Sequence, residues 1–258
     1  MNDKMFVEQL KRRILIEFRK QDRSGVYGFT QRSMAYNSNR IEGSTLTEDQ
    51  TASLFDTGTF YSDNSDDIFR AKDIEEMNGH FKMFNYMLKH IGEPLSAEII
   101  KGMHKNLKEG VFEDLANGYA VGDWKKRKNI VGNVITALPQ EVPDRIQSLL
   151  EMYNSKDDIT IKDIAEFHVA FETIHPFQDG NGRVGRMIIL KQCLDSNIVP
   201  IVIRDSKKAQ YYRALNKAHN ENDYSLLIEF FKQEQEYYKK NVVPMVIEST
   251  ELSSMKLF

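Results

Sequence analysis

Twelve consecutive residues, His175-Pro176-Phe177-Gln178-Asp179-Gly180-Asn181-Gly182-Arg183-Val184-Gly185-Arg186, bring together an imidazole, a carboxylate, three glycines and two guanidinium groups. An imidazole with an ordinary pKa of about 6.5 can take a proton near neutral pH, which makes His175 a candidate general base. Asp179 offers the hard oxygen ligand that suits Mg²⁺, an ion usually bound by one or two carboxylates together with substrate phosphates. Glycine opens backbone conformations closed to other residues, and Met187 to Leu194 has helix-forming composition, so the stretch reads as a loop feeding a helix N-terminus. Unpaired N–H groups and the positive end of the helix dipole favour phosphate at such a place. Arg183 and Arg186, three residues apart, would add forked donors from one side. Base, metal ligand, anion cradle and clamp point together to phosphoryl or nucleotidyl transfer.

A rival pattern occupies the same residues. Gly180-Asn181-Gly182-Arg183-Val184-Gly185 satisfies G-x-G-x-x-G, and Asp205 follows about 20 residues on, after the strand-like Ile201-Val202-Ile203, as in a dinucleotide-binding fold. That fold needs a strand before the glycines, whereas Ile161 to Ile174 spaces its apolar residues like a helix, and no series of βαβ units follows. A Walker A loop fails because no Lys-Ser/Thr follows the glycines. His80, His90 and His104 stand without such company and read as packed or surface histidines.

The stretch matches H-x-F-x-[DE]-G-N-G-R-x-x-R at every defined position, and so resembles the signature of the Fic domain family. The resemblance implies a mostly helical, all-α Fic fold with a small β-hairpin flap over the active site. It implies transfer of AMP from ATP, with Mg²⁺, to a Ser, Thr or Tyr hydroxyl of a target protein and release of pyrophosphate. On that basis His175 deprotonates the target, Phe177 anchors the loop, and Asp179 holds the metal. Gly180, Asn181 and Gly182 cradle the phosphates, with Asn181 near the α-phosphate, and Arg183 and Arg186 hold the outer ones. The related Doc branch, which phosphorylates, departs from the Gly-Asn-Gly pattern kept here.

Two other segments resemble parts of the same family. Ser38-Asn39-Arg40-Ile41-Glu42-Gly43 is similar to its inhibitory motif, [ST]-x-x-x-E-[GN], which implies that Glu42 pairs with Arg186. An arginine held by a carboxylate cannot also hold a γ-phosphate. Val131-Gly132-Asn133-Val134 resembles the flap, whose backbone pairs with an extended target segment by strand addition. Tyr211-Tyr212 and Ala214-Leu215 are similar to the post-motif segment, placing Tyr212 on adenine and His219 at its edge, with the family's usual Asn displaced to Asn220. The resemblance also allows a homodimer.

These parts need a scaffold. With 258 residues, 41% of them hydrophobic, the chain can bury a substantial core. Thirty-five basic against 38 acidic residues give a net charge of −3, without the basic excess of a nucleic-acid binder. Lys125-Lys126-Arg127-Lys128 is the one basic run, and its default is a solvated face. No run of about 18 apolar residues spans a membrane, and the start has no signal-peptide core, so the expected compartment is the cytoplasm, with export as an effector left open. The single Cys193 lies in an apolar helix and reads as an inert buried thiol.

Apolar periodicity predicts helices over roughly 3–20, a second ending near Gly43, a short one opening at the capping-box residue Thr47 and running through Phe55, 67–91, and one from Ser96. Gly25 and Gly28 are expected to break the first, and 110–122 to be a loop. Further helices are predicted over 143–153, 160–174, 206–220 and 224–238, with Pro244 marking an end. The expected organisation is an N-terminal helical region carrying the inhibitory helix (1–60), a Fic core (61–240) and a C-terminal extension (241–258).

Three functions fit these residues. The leading expectation is an autoinhibited protein adenylyltransferase. The second is a phosphodiesterase that removes AMP, with Glu42 positioning the water. The third is a nucleotide-dependent binding module without catalysis, against which the intact His175 and Asp179 speak.

Overall fold

The computed structural model describes residues 2–59, 68–131 and 134–255, and gives only the backbone for 130, 131, 134, 135 and 248–255. The described chain is an assembly of α-helices. They are α1 (Asp3–Lys20), α2 (Val26–Ile41), α3 (Glu48–Thr57), α4 (Ala71–Lys89), α5 (Ala97–Lys108), α6 (Phe112–Ala116), α7 (Val142–Asn154), α8 (Ile161–Ile174), α9 (Asn181–Asp195), α10 (Lys208–Glu221) and α11 (Ser225–Met255). Between α6 and α7, β1 (Ile130–Val131) pairs antiparallel with β2 (Val134–Ile135), Ile130 opposite Ile135.

Local chemistry sets most boundaries. Asn2 and Ser96 cap α1 and α5 through their side chains, and the Thr47–Gln50 and Thr160–Asp163 capping boxes open α3 and α8. α1 stops at Gln21, which adopts left-handed backbone, and α2 opens at Gly25. Gly28, expected to break a helix, instead lies inside α2, where a Cβ would collide with the Arg23 carbonyl.

Three expectations change. The short α6 lies within the expected loop 110–122, and Ile201–Ile203 is buried extended chain, not a strand. α11 runs through Pro244 to Met255, so the expected boundary at 240 falls inside a helix. Proline removes one backbone hydrogen bond there, but Val242 and Val246 on either side are buried in the core and hold the segment.

The main core joins α1, α2, α4, α5, α7, α8, α9 and α11 around residues such as Phe84, Met103, Phe171 and Met187. α9 runs through its middle, with Val184, Met187, Ile188, Ile189, Leu190 and Cys193 all buried. Burial pushes the Cys193 thiol up to about 12, which leaves it unreactive. α4 and α5 pack antiparallel so closely that a Cβ on Gly79 would strike the Leu107 carbonyl, and one on Gly102 the Tyr86 hydroxyl.

In an exposed helix, replacing glycine by alanine gains about 1 kcal/mol. At Gly79 the sign reverses, because the obstacle is backbone and α4 must move. Gly79→Ala is expected to destabilise the chain by about 1–3 kcal/mol in urea denaturation, the range for overpacking.

Candidate active site

The twelve-residue stretch is a hairpin between α8 and α9. α9 begins six residues earlier than its apolar composition suggests, at Asn181, so both arginines lie on the helix. His175 ends α8 in left-handed backbone with φ 51°, and Gly180 caps α9 with φ 83°. Left-handed backbone at a non-glycine residue is strained, and surrounding contacts must hold it.

Those contacts are specific. Phe177 is fully buried and stacks face to face on His104, ring centroids 3.9 Å apart. The His104 Nδ1 accepts the Gly122 N–H at 2.9 Å, which makes Nε2 the protonated nitrogen that donates to the Asp179 carbonyl at 3.1 Å. Burial lowers its pKa to about 3 and keeps it in that neutral tautomer. The Asn181 side chain accepts the Phe177 N–H and donates to the Phe177 carbonyl, both at 2.8 Å, so it fastens the loop and leaves the backbone amide of Asn181 for an anion. Lys125 departs from the solvated face expected of its run. Its N–H donates to the Pro176 carbonyl at 2.8 Å, and its buried Nζ donates to Asn129, Thr136 and the Ile174 carbonyl. Burial pulls its pKa down to about 8. Lys126, Arg127 and Lys128 are exposed.

Beneath the loop lies a buried ionic network. Lys108 Nζ lies 2.6 Å from Glu76, 2.7 Å from Asp114 and 2.8 Å from Asp179. Arg183, expected as an outer clamp, is buried, bonded to Glu76 at 2.5 Å and to Asn39 at 3.3 Å, and lies 3.6 Å from Asp179. Burial opposes the charged form of Asp179, but Arg183 and Lys108 outweigh it and hold its carboxyl well below the usual range.

Arg186 is also buried, and its fork is taken. Nε donates to Ser38 Oγ at 2.9 Å, and Nη2 to the Ser38 carbonyl at 3.1 Å and to Glu42 Oε1 at 2.6 Å. Glu42 is the C-cap of α2, an electrostatically poor place for an acid, and Arg186 offsets the conflict. Burial works against its charge, yet Arg186 and Arg183 lower its pKa, so the pair stays ionised through neutral pH. A Cβ on Gly182 would collide with the Glu42 carboxylate.

His175 sits behind this pair. Its Nδ1 lies 3.3 Å from the Glu172 carbonyl, which leaves Nε2 as the accepting nitrogen. Burial lowers its pKa to about 4, so it is neutral at physiological pH. A cavity of about 110 Å³ is lined by Val169, Glu172, Thr173, Tyr212, Leu215, Asn216 and His219. Of the two residues weighed for the adenine edge, His219 faces this cavity and bonds Thr173 at 3.0 Å, while Asn220 is exposed. A wider groove of about 590 Å³ shares Val169, Thr173 and His219 with it. Gly132 and Asn133 lie outside the described residues, and the side chains of Val131 and Val134 are not described.

The hairpin therefore gathers His175, Asp179, the first-turn amides of α9, Arg183, Arg186, Ser38, Glu42, Tyr212 and His219 around one end of α9. Sequence reading missed Glu76, Lys108, Asp114, Lys125 and Glu172. A signal existed for Lys108, because Ile100, His104 and Lys108 continue the inward stripe of α5 at four-residue steps.

This is a mostly helical domain in which the N-terminus of one helix follows closely on a histidine that ends another. Residues 94–193 match the family model described as Fic/DOC family, the family whose signature the motif resembles. It is 24% identical over 188 residues to protein adenylyltransferase fic-1 of Caenorhabditis elegans, covering 71% of this chain and 36% of that protein. It is 28% identical over 204 residues to protein adenylyltransferase Fic of Drosophila melanogaster, covering 76% and 38%. The chain thus spans well under half the length of these curated relatives. A Fic domain containing signaling protein from Bacteroides thetaiotaomicron superposes with a TM-score of 0.68 at 22% identity, over 95% of this chain and 94% of that one. C. elegans Fic-1 superposes with a TM-score of 0.70 at 18% identity, over 97% and 72%. These likenesses establish the fold.

Lys108 is the cation shared by three carboxylates, and removing it leaves Glu76 and Asp179 to Arg183 and the half-exposed Lys72 and takes from Asp114 the cation it pairs with. Lys108→Met is expected to cost about 3–5 kcal/mol at pH 7.5, the range for breaking a buried ion pair. The loss should shrink as pH falls toward 5, because the abandoned carboxylates then take up protons. Urea denaturation at the two pH values checks this.

Proposed function

We propose that this chain is a protein adenylyltransferase, moving AMP from ATP to a Ser, Thr or Tyr hydroxyl of a target protein, and that Glu42 holds it inactive. The observation that carries the reading is the occupied fork of Arg186, 2.6 Å from Glu42, at the end of a helix whose first-turn amides stand ready for an anion. The amides of Asn181, Gly182 and Arg183 receive the phosphates, Arg186 receives the outer one once Glu42 withdraws, and Tyr212 and His219 border the base. His175 Nε2 takes the target hydroxyl proton as its oxygen bonds the α-phosphorus and the bond to pyrophosphate breaks.

Asp179 fits a magnesium site of the substrate-assisted kind. Its side chain is 36% exposed, and among the described residues no cluster of three acidic or imidazole ligands forms a self-sufficient cage. Bound there with the phosphates, Mg²⁺ would offset the charge that develops on the leaving group. The paired strands before α7 suit a flap whose edge accepts an extended target segment. An inhibitory region over 1–60 and a catalytic core over 61–240 remain the proposed division. No described helix is long and apolar enough to cross a membrane, and an ATP-dependent site with an unpaired thiol suits the cytoplasm.

A closed-state preference of about 3 kcal/mol would leave about 1% of molecules competent, so the unaltered chain would label little. Glu42→Gly is expected to raise AMP incorporation from α-labelled ATP at least tenfold, and His175→Ala to abolish it. Equal labelling by all three proteins would refute the assignment.

A second reading has one observation in its favour. The Glu42 side chain is 32% exposed, so its carboxylate meets water within the site and could direct a hydrolytic attack on an AMP-modified protein. Release of AMP from a pre-labelled target by the unaltered chain, lost in Glu42→Gly, would mark that activity.

A further inference from the structure

Glu172 is a partly buried acid beside the candidate base that neither reading uses. It sits one turn before His175 on α8, in the wall of the 110 Å³ cavity. Its Oε2 lies 3.8 Å from His175 Nδ1, just beyond hydrogen-bond range, on the edge that already faces the Glu172 carbonyl. Its Oε1 is buried without a partner. An unpaired buried carboxyl oxygen costs free energy, so its retention beside the candidate base asks for a role.

The surroundings keep this acid close. On the next turn back, His168 donates to or accepts from the Tyr211 hydroxyl at 2.6 Å, while its Nδ1 is unpartnered. Both orphans lie against the bare face of Gly185, where a Cβ would stand 2.8 Å from Glu172 Oε1 and 3.3 Å from His168 Nδ1. Gly185 occupies a position that the motif leaves free, and here the acid explains the glycine. The charged and titratable groups facing Glu172 are Arg186 from α9, Glu42 at the end of α2, Tyr211 and Tyr212 from α10, and His168 and His175 beside it. Lys125, whose Nζ donates to the Ile174 carbonyl, acts on His175 as a further positive charge.

We propose that Glu172 is a positioning residue for His175: its carboxylate holds the Nδ1–H edge of the imidazole and supplies the countercharge when Nε2 takes a proton. No proton passes to Glu172; the hydroxyl proton ends on Nε2 and Nδ1 keeps its own. Apo active sites often hold such pairs slightly apart, and a small rotation of either side chain closes 3.8 Å to a bond.

Burial raises the Glu172 pKa to about 7, Arg186 opposes that rise, and Glu42 adds to it. The acid is therefore neutral below neutral pH and charged above it. A base beside a charged carboxylate is stronger than one beside a neutral carboxyl, so the effect on His175 appears as pH rises. Departure of Glu42 removes a like charge and frees Arg186, which shifts Glu172 toward its charged form. Release of inhibition would then also strengthen the base.

This inference rests on the adenylyltransferase reading, but its first test does not. In nitrogen-15 histidine spectra of the unaltered chain, with His175 assigned by His175→Ala, the imidazole shifts should inflect near pH 7. Glu172→Gln should remove that inflection, Glu172→Asp should keep one, and Glu42→Gly should move it to lower pH. Identical His175 titrations with and without the carboxylate overturn the proposal. In the Glu42→Gly background, Glu172→Gln should lower kcat for AMP transfer about tenfold at pH 8 and less than threefold at pH 5.5, with KM for ATP changed less than twofold. A loss that is uniform across pH marks a merely structural residue and overturns it as well. If Glu42→Gly transfers no AMP while the inflection behaves as described, the adenylyltransferase reading falls and the Glu172–His175 pairing stands.

Discussion

A buried guanidinium that must always have an anionic partner is the constraint on which this structure turns. Arg186 lies inside the protein, with burial opposing its charge and Glu42 restoring it. Leaving such a charge unpaired would cost several kcal/mol, whereas exchanging one anion for another costs far less. The residue is thus suited to a swap. The Glu42 carboxylate at the end of α2 fills the fork, and on the proposed reading any phosphate that enters must displace it. α2 is held for this role by its own packing, since Met34, Ala35 and Ile41 are buried and Ser38 bonds the same fork twice.

The same constraint explains the glycines better than backbone freedom alone. Gly180 needs its left-handed φ to turn the chain into α9. Gly182 and Gly185 have ordinary helical backbone, and what they provide is the missing Cβ. At Gly182 the vacated space admits the Glu42 carboxylate, and at Gly185 it admits Glu172 and His168. A motif that reads as a flexible phosphate loop is, for half its length, a rigid helix whose bare faces let acids approach the arginines and the base.

How much of this was legible in the sequence follows from the range of each interaction. Helix ends were readable where a single side chain decides them, as at Thr47, Ser96 and Thr160. The twelve-residue motif and Glu42 were readable because several chemically unusual residues fall close together. Pro244 misled because a local rule, the missing N–H, yields to core contacts by Val242 and Val246 that composition does not display. The partners of Arg183 were hidden for a related reason. Its spacing from Arg186 places both near the cradle, but only tertiary structure brings Glu76 from α4 and Asn39 from α2 to turn it inward. Glu76 lies 32 residues before Lys108 and meets it only after α4 and α5 pack, and Asp114 reaches Lys108 from α6, so the inward stripe of α5 announces that Lys108 is buried but not which carboxylates it meets.

Charge counting ties the network to the proposed substrate. Among the described buried groups near the cradle, Lys108, Arg183 and Arg186 face Glu76, Asp114, Asp179 and Glu42, one carboxylate more than cations. A further acid in that company should stay protonated, and Glu172 does so up to about pH 7. Removing Glu42 brings the balance to zero, still with no surplus positive charge to receive a triphosphate. Among the described residues the helix amides and half-exposed Lys72 lie near, and on the proposed reading a cation brought with the nucleotide would supply the remainder. A site so poor in free positive charge discriminates against phosphate arriving alone. On the proposed reading, the arrangement that keeps Arg186 closed would also make a nucleotide depend on its metal.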